Sequence, residues 1–311
     1  MTETRHGDEP AYAESTARAA TAVAGRPPET RRLAGGRLRR GLKQTLLALP
    51  LAALVVWTLA PFLVTVSVSF KERAAVFANP GLIPTDPNLD AYREVLASES
   101  FTTSFVNSVI VGVGTTLLTL AIGVPAAYAF ARFNFRGRHL LLLFTLLPRL
   151  VPSLGLMVPI YRLAVAAGLL DKRITLVIVY TGMLLPLAVW LMVGFFQQIP
   201  REIEEAANVD GATLWGRLRY IVAPLAAPAM ITIGVLAFRE AWNEFTLVLV
   251  LTSSPGKRTL PFELYLMQGI EGIANFPGEA AFTLLTVIPF ILVYTRVEKY
   301  VVAGLVTGSG K

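Results

Sequence analysis

The chain has 311 residues, 54% of them hydrophobic and 16% charged, with a formal net charge of +7 and no cysteine. A soluble domain carries about 25% charged residues, so this composition reads as a polytopic membrane protein. Disulfides, thiol catalysis and Cys-ligated metals are excluded, and a histidine metal site is not expected from His6 and His139, which lie far apart.

Residues 1–45 are rich in Ala, Thr, Glu, Arg, Gly and Pro and lack apolar periodicity, so they read as a disordered tail. The tail ends on Arg31, Arg32, Arg37, Arg39, Arg40 and Lys43. That basic run would hold it in the cytoplasm and attract anionic membrane lipid. It is not a twin-arginine export signal, because the apolar run that follows is too long and further apolar segments succeed it.

A spanning helix needs about 20 largely apolar residues. Six stretches qualify, at about 46–70, 104–131, 139–163, 174–196, 223–251 and 280–303, giving an all-α integral membrane domain over 46–311. With the tail inside, the C-terminus is inside too. The inner connections then hold Arg132, Arg136, Arg138, Arg201, Arg217, Arg219, Arg296, Lys299 and Lys311. The outer ones hold fewer basic residues, and that bias sets the orientation. The outer loop 71–103 should turn at its Pro, Gly and Asp residues and then form a short amphipathic helix at 89–96. Gly112 and Gly114 lack the third glycine and the strand of a dinucleotide fingerprint, so they should let helices pack closely. The terminal Gly308-Ser309-Gly310-Lys311 fails the phosphate-loop pattern, since position 305 is Leu.

Residues 199–228 sit between apolar segments but are mostly too polar to span. Pro200 suits a helix start, residues 201–208 read as two helical turns, and Glu202, Glu204 and Glu205 favour the positive end of the helix dipole. Ala206 and Ala207 leave room for another surface. Asp210-Gly211 is a turn pair, with Gly211 supplying φ > 0. Leu214, Trp215, Leu218 and Ile221 or Val222 then recur at helical spacing. The pattern predicts a short helix–turn–helix at the membrane surface within a loop at 197–222. A DNA-binding helix–turn–helix would need a soluble domain to hold it; nucleic acid is not an expected partner.

Glu205-Ala206-Ala207, three residues, Gly211, nine residues, then Ile221 and Pro224 resembles the EAA motif of permease subunits of binding-protein-dependent ABC importers. Ala223 stands where that motif usually has Leu. The stretches Asn107-Ser108, 127–138, 168–171, 190–200, Trp242-Asn243-Glu244-Phe245 and 299–311 resemble the carbohydrate branch, most of all the second permease subunit of maltose- and trehalose-type systems. The resemblance implies six spanning helices and a cytoplasmic EAA coupling helix, with Glu205, Ala206, Ala207, Asp210, Gly211 and Pro224 serving ATPase coupling. It implies a bacterial cytoplasmic membrane location with both termini cytoplasmic. The partners it implies are a second homologous permease subunit, two ATP-binding cassette subunits and an extracytoplasmic sugar-binding lipoprotein. ATP and Mg would be bound by the partner ATPase; no cofactor, metal or catalytic residue is expected on this chain. The loop 71–103 would face the binding protein.

Arg149, Arg239, Glu240 and Glu244 fall inside the proposed spans, at a cost of about 2.5–3.5 kcal/mol each on insertion scales, so each should face protein or a wet cavity. Glu240 and Glu244 should share one helix face, and Arg239 and Asn243 the neighbouring one. Two readings follow. These groups contact a sugar, with Trp242 or Phe238 stacking on a pyranose, or they pair between helices, as Arg149 with Glu240 or Glu244. Glu244 could instead gate the outer end. The same machine carrying another small solute is one alternative function. A secondary transporter or channel, which broken helices in inverted repeats would favour, is another. A membrane enzyme is a third, with no catalytic constellation to support it.

Overall fold

A computed structural model describes residues 30–269 and 275–308, and every regular element among them is helical. The chain divides into two compact units, Met1–Phe62 and Leu63–Lys311. The described part of the first, 30–62, is helical throughout and belongs to α1, which runs Thr30–Ser69. Its start takes in the basic stretch read above as tail. Arg, Leu and Lys are good helix formers, and a stable apolar helix beside them supplies the nucleus that helix growth needs. The rest of the expected tail, residues 1–29, lies outside the described residues, as does the end of the terminal glycine-rich stretch, 309–311.

In the second unit α2 (Ala75–Ala78) and α3 (Asp90–Ala97) lead into α4 (Glu99–Arg132). Then come α5 (Arg138–Leu146), α6 (Ser153–Ala166), α7 (Arg173–Gln198), α8 (Arg201–Val209), α9 (Leu214–Arg217) and α10 (Ala223–Leu225). The last four are α11 (Ala227–Asn243), α12 (Thr246–Leu251), α13 (Leu260–Gly269) and α14 (Phe276–Gly308). The expected helix at 89–96 is α3.

Four stretches are long and apolar enough to cross a membrane unbroken: Ala48–Ser69, Glu99–Arg132, Arg173–Gln198 and Phe276–Val297. The other two expected spans are broken. Arg138–Leu150 meets Ser153–Ala166 at 97°, and Leu214–Leu225 meets Ala227–Asn243 at 79°. The count among the described residues is therefore four, or six if each bent pair is one span. Proline explains both bends, because its ring and missing N–H disrupt the preceding turn. Pro148 and Pro152 flank the first break, Pro224 and Pro228 the second. A further break at Glu244 separates α11 from α12.

α4 packs along α7, and α11 lies on α4 and on α14. Glycine permits the closest approaches. A Cβ on Gly112 would stand 2.7 Å from the Phe238 ring, and one on Gly114 would stand 3.0 Å from Val177. The core falls into three clusters along the bundle. Toward the end bearing α8, Tyr128, Met192, Phe196, Leu218 and Val222 bury together. Leu176, Tyr180, Leu247 and Leu251 form the second cluster, and Phe101, Trp242 and Phe282 the third. Among them α4 sets the axis. At ~1.5 Å per residue its 34 residues are long enough to cross a bilayer.

Candidate functional site

The 199–225 loop is built by three local devices. Pro200 precedes α8 as its cap residue, and Glu202 and Glu204 occupy the first turn, where carboxylates favour the helix dipole. At the other end the Ala212 amide donates to the Ala207 carbonyl (2.9 Å) and the Gly211 amide to that of Asn208 (3.1 Å). This is a Schellman closure, whose reversing residue sits in the left-handed region. Gly211 has φ +84° and open space around it. Thr213 then starts α9, its Oγ1 accepting from the Gly216 amide at 3.1 Å.

After α9 the chain takes one π turn, Leu218–Val222, before Ala223–Leu225 and the 79° bend. Leu218 and Val222 are buried against Phe196 and Met192. The far side of the loop is anchored in the core, while its tip stands free. Glu205, Ala206, Asp210, Gly211 and Pro224 are exposed and Ala207 is half-buried. Around them Val209 is 88% exposed, Trp215 60% and Tyr220 73%. These exposed apolar side chains lie beside the polar tip, where a partner surface could cover them.

The strongest electrostatic feature of the loop is one that sequence reasoning missed. Glu204, not Glu205, is buried. Its Oε1 accepts from Arg132 Nε and its Oε2 from the Tyr128 hydroxyl, both at 2.6 Å. Arg132 also donates through Nη2 to the Ile199 carbonyl at 2.9 Å. The signal that could have found it is the amphipathic register: Glu204 lies one turn from the half-buried Ala207, and Arg132 closes the apolar run of α4.

The membrane charges separate into different settings. Arg149 is exposed, in the 3-10 turn Leu147–Leu150, and makes no ion pair among the described residues. The expected pairing with Glu240 or Glu244 is not formed. Glu240 pairs instead with adjacent Arg239 at 3.1 Å, and Asn243 Nδ2 donates to the Arg239 carbonyl at 2.8 Å. These three residues are exposed together on α11. Glu244 does not share their helix face, because α11 ends at Asn243 and Glu244 has extended backbone. Trp242 is buried, stacked on Phe238 (centroids 5.2 Å apart) and edge-on to Phe105 (5.9 Å). It is therefore a core ring and not free to stack on a solute.

At the opposite end, two loops close on the bundle. Asn107 Nδ2 donates to the Arg258 carbonyl (2.7 Å) and the Gly256 carbonyl (3.1 Å), and Ser108 Oγ accepts from the Leu260 amide at 2.9 Å. Asp171, at φ +58°, accepts from the Ser253 and Ser254 amides at 2.9 and 3.0 Å and from the Ser254 hydroxyl. Burial pushes the Asp171 carboxyl upward. The three hydrogen bonds and the positive charge of Lys257 outweigh it and hold the group below its ordinary range.

A family model described as "Binding-protein-dependent transport system inner membrane component" matches residues 119–306. The chain belongs to that family. It is therefore a multi-pass inner-membrane component of a binding-protein-dependent transport system. It is 35% identical over 256 residues to the trehalose transport system permease protein SugB of Mycobacterium tuberculosis, covering 82% of this chain and 93% of that one. It is 32% identical over 272 residues to the trehalose/maltose transport system permease protein MalG of Thermococcus litoralis, covering 87% and 98%. A solved bacterial ABC transporter that imports the acidic polysaccharide alginate contains a chain similar to this one. That match has a TM-score of 0.72 at 27% identity and covers 89% of this chain and 99% of that one. The two bent helix pairs thus occur in a chain of the binding-protein-dependent transport family, and the secondary-transporter reading is set aside.

Proposed function

We propose that this chain is one of two unlike membrane subunits of an ATP-driven importer, carrying a mono-, di- or oligosaccharide handed over by an extracytoplasmic binding protein. ATP hydrolysis belongs to two partner ATPase subunits, and α8 with its Gly211 turn is the element that enters a cleft on one of them. The observation that carries this reading is the loop itself, anchored in the core through Leu218 and Val222 while its small-residue tip and Val209, Trp215 and Tyr220 stand free. The sugar class is supported by relatives whose names specify trehalose and maltose. The exposed Arg239, Glu240 and Asn243 supply donors and acceptors suited to sugar hydroxyls. A nearby cavity of about 640 Å³ is lined mainly by apolar side chains such as Val113, Leu117, Met230 and Phe290, with Thr116, Arg219 and Tyr294 as its polar members, so it offers saccharide hydroxyls few hydrogen-bond partners.

The experiment is uptake of labelled trehalose and maltose into proteoliposomes holding the complete transporter, with binding protein outside and ATP inside. Uptake that needs both ATP and binding protein supports the reading; uptake driven by an ion gradient without ATP overturns it. Orientation has its own test. A cysteine at Ser15 should be shielded from impermeant thiol reagents in intact cells and one at Ser254 should label, and the opposite pattern would reverse the topology.

A further inference from the structure

Glu204 is the neighbour of Glu205 in the sequence but faces the other way. Glu205 is exposed with the tip, whereas Glu204 is 6% exposed and closed in by two short hydrogen bonds. Arg132 reaches three elements at once. It belongs to the last turn of α4, it binds the first turn of α8 through Glu204, and it binds the residue that ends α7 through the Ile199 carbonyl. Tyr128, the second partner of Glu204, lies one turn earlier on α4 and is itself fixed edge-on against Phe196 of α7 (6.1 Å, 90°).

A loop joined to a helix only by its backbone would swing at residues 199–200. Here the guanidinium spans that connection on both sides and removes the hinge. The ion pair is shielded, with side chains 9% and 8% exposed, so it is strengthened by the low local dielectric and costly to separate. We propose that Arg132, Glu204 and Tyr128 form a rigid joint that delivers any displacement of α8 to α4 and α7. Glu204 is then a positioning residue, acting through the helices it binds and not through a partner. This rests on the reading that α8 docks on an ATPase.

The test uses the complete transporter in proteoliposomes and measures ATPase retention, solute uptake and ATP hydrolysis on each preparation. Glu204→Gln and Arg132→Gln should retain the ATPase but transport less solute per ATP, by about tenfold, within the usual span of coupling between sites. Tyr128→Phe, which keeps the ion pair, should show the same loss more mildly. Because the chain has no cysteine, Arg132→Cys with Glu204→Cys can be joined by a short bis-maleimide. The cross-link should restore solute moved per ATP that the unlinked pair has lost.

Unchanged coupling in Glu204→Gln overturns the joint, as does a cross-link that fails to restore coupling. Loss of the ATPase from Glu204→Gln also overturns it, since Glu204 would then shape the docking surface. Failure of the docking reading looks different: Ala207→Trp, at the tip, would keep the ATPase and its coupling.

Discussion

The Tyr180 hydroxyl donates to Glu244 Oε2 at 2.7 Å, joining the first third of α7 to the break between α11 and α12. The same carboxylate accepts from the Leu247 amide at 3.0 Å and the Val248 amide at 3.3 Å. Glu244 therefore caps the start of α12, satisfying amides that the break would otherwise leave unpaired. A carboxylate in this position needs no arginine.

Replacing Glu244 by Ala should lower the thermal stability of the purified complex. Loss of a cap costs about 0.5–2 kcal/mol, and an unsatisfied buried hydroxyl on Tyr180 adds about 1–3 kcal/mol. Arg149→Gln should leave the melting temperature unchanged, and its combination with Glu240→Gln should be additive. A double-mutant cycle with a coupling energy above about 0.5 kcal/mol would restore the Arg149–Glu240 pairing that the structure lacks.

Gly112→Ala should destabilise the bundle, because the added methyl would stand 2.7 Å from a Phe238 ring already stacked on Trp242. Overpacking of this kind costs typically about 1–3 kcal/mol. Phe238→Leu in the same chain should recover much of the loss. Melting temperatures of the single and double variants check this, and a neutral Gly112→Ala would contradict the close helix contact.

Asp171 gives a pH dependence whose sign is fixed. Its folded pKa lies below the ordinary value of 3.8. Its contribution is therefore present above that value and is lost as the pH falls through the folded pKa. Asp171→Asn tolerates the same left-handed backbone but does not titrate. Wild type should melt above Asp171→Asn near neutral pH, and the gap should shrink in strong acid. A gap that stays constant with pH would remove the carboxylate from the contact between the 168–171 and 252–254 loops.

Much of the fold was legible because lipid demands long apolar runs, and hydropathy therefore marks the spans directly. The close packing at Gly112 was legible for a similar reason, since a glycine within an apolar helix serves little else. The breaks were harder to see. The run 223–251 stays apolar across Ala226 and Glu244, so hydropathy passes over both, although Pro224, Pro228 and the isolated carboxylate were present as signals. The turn at Gly211 followed from residue type, because positive φ has few alternatives. The burial of Glu204 was harder to see, because two adjacent glutamates are chemically alike. The helical register, which sets Glu204 one turn from Ala207, separates them, but its partners Arg132 and Tyr128 come from a helix about 70 residues away and only tertiary packing brings them in. Trp242 misled for a related reason: an aromatic beside polar residues suits a sugar site, but three-dimensional packing places it between Phe105 and Phe238.

The most direct measurement is coupled uptake by Gly211→Val and Ala207→Trp, with ATPase retention followed on the same samples. Gly211 has φ +84°, where a β-branched residue is a genuine outlier, and a tryptophan at 207 blocks the tip by volume. Both variants should insert in the membrane yet lose solute-stimulated ATP hydrolysis and uptake. Near-normal coupled uptake in both would make the 199–225 loop a mere connector and contradict its assignment as the ATPase-coupling element.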